Sequence, residues 1–158
     1  MNFKPHPGAP LHLTFCKEMK LRSGIKLHAE IEGYGEPIQD NDRYDAVLKF
    51  YRNKGDPLTM KTVRTEPIPK AVEHDGKLRI EWDPPEIVES HIIVERNRSL
   101  SRGADLLPGI YYTMLGMRTG GYRRVSIPPH LFAHIMHEVM EIERESVIKL
   151  ECFLISIR

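Results

Sequence analysis

Between Pro108 and Gly116 the sequence frames a helix of about two turns, since proline is tolerated in a first helical turn and glycine suits the left-handed cap that ends one. Most other ordered segments alternate with period two, the signature of strands with one buried face. Ile25, Leu27, Ala29 and Ile31 alternate with Lys26, His28, Glu30 and Glu32 before Gly33 to Pro37 breaks the pattern. Tyr44 to Tyr51 is aromatic and β-branched, and Asn53-Lys54-Gly55-Asp56-Pro57 stops it. Tyr122 to Ile127 lies between Thr119-Gly120-Gly121 and Pro128-Pro129. At the end of the chain Ile148, Leu150, Cys152 and Leu154 alternate with Lys149, Glu151 and Phe153. Strands around one short helix imply an α+β fold with an antiparallel sheet.

The other segments elaborate that frame. Residues 1–10 hold Pro5, Pro7, Pro10 and Gly8 and are expected as an extended arm, followed by a strand over Leu11 to Cys16. From Leu58 to Glu81, Pro67 and Pro69 precede the turn pair Asp75-Gly76, which is flanked by Ala71-Val72 and Leu78-Arg79-Ile80; this reads as a β excursion off the main body. Ile87 to Glu95 reads as a strand and Arg96 to Gly103 as a basic polar loop. Leu131, Phe132, Ile135, Met136, Val139, Met140 and Ile142 form a helical stripe. The 158 residues are therefore expected as one domain over 11–158, with an insertion at about 58–103 and a helical insert at 131–142.

Composition narrows the function. With 23 Lys and Arg against 22 Asp and Glu, the chain lacks the basic excess that drives nucleic-acid binding. No 18-residue apolar stretch predicts a membrane span, and the amino-terminal residues carry no unbroken apolar run, so a cytoplasmic protein without membrane partner is expected. The two cysteines, Cys16 and Cys152, form no CxxC pair; a single long-range bridge is open, but two reduced thiols fit a cytoplasmic chain better. His130, His134 and His137, with Glu138 and Glu141, would share a helix face, yet the HExxH arrangement is absent and solvated histidines are the plainer account. Arg96, Arg98 and Arg102 could bind phosphate or an acidic partner, with a solvated loop again the plainer reading. No Walker, Rossmann or nucleophile-elbow motif occurs, so neither cofactor nor metal is expected.

The run Leu107-Pro108-Gly109-Ile110, through Gly116-Met117, Gly120-Gly121 and Arg123-Arg124, to Ile127-Pro128-Pro129-His130-Leu131 resembles the FK506-binding protein (FKBP) type of peptidyl-prolyl cis-trans isomerase. The family pattern is V-I-P-G-W-x-x-G-L-x-G-M-x-x-G-G-x-R-R-x-x-I-P-P-x-L. Ser23-Gly24-Ile25, Gly33-x-Gly35 and Asp42-Arg43-Tyr44 resemble its earlier segments, and Val147 to Ile157 its last strand. The resemblance implies an FKBP-like antiparallel half-barrel wrapped on the short helix, with an apolar pocket between them. It implies that Leu106 and Leu107 line the pocket and that the backbone N–H of Leu107 meets the substrate. Ile110 matches the floor tryptophan, Tyr51 a wall tyrosine and Leu150 an aromatic wall position. The family's D-G-x-x-F-D-S-S segment has no counterpart, and Phe132 stands beside the place of a missing tyrosine without supplying a hydroxyl.

The expected function is weak prolyl isomerase activity on X-Pro bonds of peptides or unfolded protein, with a macrolide as a second candidate ligand. The alternative is a noncatalytic FKBP-like module that binds a partner through the 58–103 excursion or the 131–142 helix.

Overall fold

The structure is a computed structural model and describes residues 19–58, 67–84, 92–101, 108–131 and 146–158. In chain order its elements are β1 (Met19–Lys20), β2 (Lys26–Ile31), β3 (Arg43–Arg52), β4 (Ile68–His74), β5 (Lys77–Asp83), β6 (Ile92–Ser99), α1 (Pro108–Met114), β7 (Tyr122–Ile127) and β8 (Ile148–Ile157). Among the described residues six strands form one antiparallel sheet in the order β1-β2-β7-β8-β3-β6, and β4 and β5 form a two-stranded sheet. The expected antiparallel sheet with one short helix is what the chain adopts. The extended arm 1–10, the strand 11–16 and all but Leu131 of the helical stripe 131–142 lie outside the described residues.

The sheet is buried on both faces, and the sequence parity of each strand sorts its residues between two cores. Tyr44, Ala46, Leu48 and Phe50 of β3 and Ile148, Leu150, Cys152 and Leu154 of β8 face α1, where they pack with Ile110, Met114, Val125 and Ile127. Val47 and Phe153 face the other way, with Ala29, Ile31 and Tyr122, and the β4–β5 hairpin covers them with Ile68 and Leu78. The hairpin turns at Asp75 and Gly76, both at positive φ, as the turn pair in the sequence requires.

Among the described residues of the 58–103 stretch this hairpin leaves the main sheet, and β6 pairs with β3 as an outer strand. The basic segment expected as a loop from Arg96 is strand as far as Ser99, because an outer strand needs hydrogen bonds on one edge only and tolerates exposed polar side chains. A bulge opposite Asp45 accommodates Arg96 and Asn97, the latter at φ 49°, and the Asn97 N–H donates to Asp45 Oδ1 at 2.7 Å. Among the described residues no helix is long and apolar enough to cross a membrane, and no three His, Cys, Asp or Glu side chains are grouped to hold a metal ion.

Candidate active site

The helix α1 is seated by its second residue. A Cβ on Gly109 would fall 2.6 Å from Cγ2 and 3.2 Å from Cδ1 of Ile127, so only glycine lets the first turn rest on the end of β7. Ile110 and Met114 then point into the helix-side core, and the Thr113 hydroxyl donates back to the Gly109 carbonyl at 2.7 Å. The helix stops at Gly116, whose φ is 85°. Its last carbonyls are met by Arg123, whose Nη1 donates to the oxygens of Thr113 at 2.8 Å and Leu115 at 3.1 Å. Glu30 holds the same guanidinium through Nε at 2.7 Å. A cation at a helix carboxyl end complements both the free carbonyls and the axial dipole.

Of the residues assigned to the pocket, Ile110 and Leu150 lie in one apolar cluster beside α1, 3% and 0% exposed. Phe50, Leu58, Val125, Ile127 and Leu131 belong to the same cluster. Tyr51 does not join them. Adjacent strand residues point to opposite faces, and the β3–β8 register runs without a shift from Ala46 to Arg52, so Phe50 takes the helix face and Tyr51 the back of the sheet. Tyr51, which the resemblance implies as a wall residue, thus lies on the face opposite α1, and its neighbour Phe50 lies on the helix face. Parity with Tyr44, Ala46 and Leu48 is the signal in the sequence that points to Phe50, but apolar residues on both faces of β3 blur it. Leu106, Leu107 and Phe132 lie outside the described residues.

On the back of the sheet the Tyr51 hydroxyl donates to Glu151 Oε1 at 2.6 Å, and the Tyr122 hydroxyl donates to Oε2 of the same carboxylate at 2.5 Å. Burial, reinforced by this carboxylate, pushes both phenols well above the ordinary tyrosine range. Burial likewise pushes the Cys152 thiol up to about 12, so it is an unreactive core group rather than a nucleophile. Asp45, beside the Arg158 guanidinium at 2.7 Å and the Asn97 N–H, has its carboxyl held down to about 2. None of these groups belongs to the helix-side cluster apart from Cys152. A cavity of about 460 Å³ also opens on the back of the sheet, between Pro67 and Trp82 of the hairpin region and Val47, Val94 and Ile155 of the sheet.

By sequence the chain matches no protein-family model and no curated protein. By structure it is similar to a peptidyl-prolyl cis-trans isomerase from Pseudomonas syringae pv. tomato, with 16% identity and a TM-score of 0.52 over 89% of this chain and 80% of that one. It is similar to FkpA from Escherichia coli at 19% identity and a TM-score of 0.54, over 90% of this chain, which spans 52% of FkpA. It is similar to AtFKBP13 at 15% identity and a TM-score of 0.53, over 90% of this chain and 100% of that one. The chain thus has an FKBP-like fold, divergent in sequence.

Proposed function

We propose that the chain is a peptidyl-prolyl cis-trans isomerase of modest activity, acting on X-Pro bonds of peptides or unfolded protein at the amino end of α1. The observation that carries the reading is the apolar cluster of Ile110, Leu150 and Phe50 beside that helix, in a fold shared with a protein named as such an isomerase.

Rotation about the amide must cross a resonance barrier of about 18–20 kcal/mol, and a catalyst lowers it by binding the twisted, less conjugated form better than the planar one. That needs no nucleophile. An apolar wall takes the proline ring and excludes water, and a backbone N–H, assigned in this reading to Leu107, holds the preceding carbonyl. Modest activity follows from three features of this chain. Ile110 offers a smaller floor than an indole, Phe132 carries no hydroxyl, and the Tyr51 hydroxyl is committed to Glu151 on the other face.

The test is exchange spectroscopy on an Ala-Pro peptide with the purified full chain, with and without a macrolide ligand. Acceleration that the macrolide suppresses supports the reading, and its rate should be nearly flat between about pH 6 and 8, since no histidine takes a catalytic part. A rate that stops on chelation or changes tenfold across that window overturns the mechanism. Absence of acceleration at high protein concentration overturns the activity and leaves a binding module.

A further inference from the structure

Three alternate residues of β7 support α1 along its length. Ile127 meets Gly109 in the first turn, Val125 joins the cluster of Ile110 and Met114, and Arg123 reaches the Thr113 and Leu115 carbonyls at the far end. The helix is seven residues long and carries no basic residue in its own last turn, so the cation at its carboxyl end comes from the sheet. Backbone bonds with Ile38 close the other side of that end. The Gly116 N–H donates to the Ile38 carbonyl at 3.1 Å, and the Ile38 N–H donates to the Met117 carbonyl at 2.7 Å.

The anchor of Arg123 is placed by an irregularity in the sheet. Leu27 of β2 pairs with Val125, and unbroken pairing from there would set Ala29 opposite Arg123. The register shifts between Leu27 and Ala29, so Glu30 stands opposite Arg123 instead and meets its Nε at 2.7 Å. The same shift turns Ala29 and Ile31 to the back of the sheet, while Ile25 and Leu27 stay on the helix side. The Arg123 side chain is 13% exposed, so its charge is held largely out of water and needs both the carboxylate and the helix carbonyls.

We propose that Arg123 and Glu30 are positioning residues for the isomerase site: together they fix where α1 stands on the sheet, and thereby where Ile110 sits against Leu150 and Phe50. The proposal rests on the isomerase reading. The planar fork lets one guanidinium hold the carboxylate through Nε and two carbonyls through Nη1, which ties β2, β7 and α1 together at one point. Gly109 on Ile127 fixes one end of the helix and Arg123 the other; a two-turn helix held at one end alone pivots about the glycine. Such a pivot moves Ile110 within the cluster and spoils the fit to the twisted amide more than the binding of the planar peptide. Neither Arg123 nor Glu30 belongs to that apolar cluster, so both act through the helix.

The test compares the full-length wild type with Arg123→Gln and Glu30→Gln, each with ¹³C-labelled isoleucine methyl groups. In the folded variants the Ile110 methyl resonance should shift while those of Ile68 and Ile155, on the back of the sheet, stay in place. Exchange spectroscopy on the Ala-Pro peptide should show kcat falling about tenfold in Arg123→Gln and about threefold in Glu30→Gln, with KM within about twofold. Glu30→Gln keeps the guanidinium and loses its anchor, so it decides the matter if Arg123→Gln fails to fold. An unmoved Ile110 resonance, or an unchanged kcat in a folded variant whose urea midpoint has dropped, overturns the proposal, since the pair then serves stability alone. No acceleration by the wild type overturns the isomerase reading instead, and the Ile110 resonance then still decides whether the pair sets the helix.

Discussion

Gly109 and Ile127 are in contact so close that one added methyl group at position 109 would lie 2.6 Å from Ile127 Cγ2. Gly109→Ala should therefore lower stability by about 1–3 kcal/mol through overpacking, despite the better helix propensity of alanine. The same change in an Ile127→Ala background should cost at least 1 kcal/mol less, because contacting residues couple. Urea unfolding of the four proteins in the cycle checks this; additive costs would place the clash elsewhere.

Phe50 and Tyr51 separate the two faces of β3, so they should separate in function. Tyr51→Phe should leave macrolide or proline-peptide affinity within about twofold, whereas Ile110→Trp should strengthen it several-fold by adding apolar contact area. Fluorescence or calorimetric titration of the folded variants measures both. A large loss in Tyr51→Phe would return the binding site to the back of the sheet.

The hairpin is held to the sheet by Ile68 and Leu78, which are 2% and 6% exposed. Leu78→Ala should cost about 2–4 kcal/mol, the range for truncating a buried leucine. Trp82, the single tryptophan, is half-exposed on β5 and reports on this docking. Its emission should shift to the red in Leu78→Ala before the main sheet melts, if the hairpin undocks as a unit.

Alkaline stability follows from the raised pKa values. Cys152 titrates near 12 in the folded chain against an ordinary 9.0, and Tyr51 and Tyr122 are also raised, so each proton is bound more tightly in the folded state. The stability they contribute is complete below the ordinary pKa values and declines as pH rises, first for the thiol above about pH 9 and then for the phenols above about pH 10. The urea midpoint should fall steadily across that range. Tyr122→Phe should flatten the upper part of the fall, at the cost of the hydrogen bond to Glu151.

Asp45 gives the opposite dependence. Its carboxyl, held down to about 2 by Arg158 and the Asn97 N–H against an ordinary 3.8, contributes stability that is present above about pH 4 and lost as pH falls through 2. Arg158 is largely exposed, so solvent screens the pair, and Asp45→Asn should cost about 1 kcal/mol at pH 7. The difference from wild type should shrink as pH falls from about 4 through 2. A constant difference would mean that Asp45 acts through packing alone.

Local sequence determined the elements where one rule governs a segment. Period-two alternation marks β2 and β8, the Asp75-Gly76 pair marks the hairpin turn, and Pro108 with Gly116 brackets a helix whose first turn needs Gly109. These are backbone constraints that neighbours in the chain suffice to express. Which face each strand presents was not legible in the same way. β3 is buried on both sides because the hairpin covers its back, and the resemblance pointed to Tyr51 alone, whereas the register with β8 puts Phe50 beside α1 and Tyr51 on Glu151. The polar segment after Glu95 looked like a loop until pairing with β3 made it an outer strand. Glu30 and Arg123 are far apart in the chain and meet only through β2–β7 pairing, after a register shift that no local pattern announces. Sequence fixes what a residue's immediate neighbours can enforce; which distant side chains share a surface is decided by the free energy of burying both faces of the sheet at once.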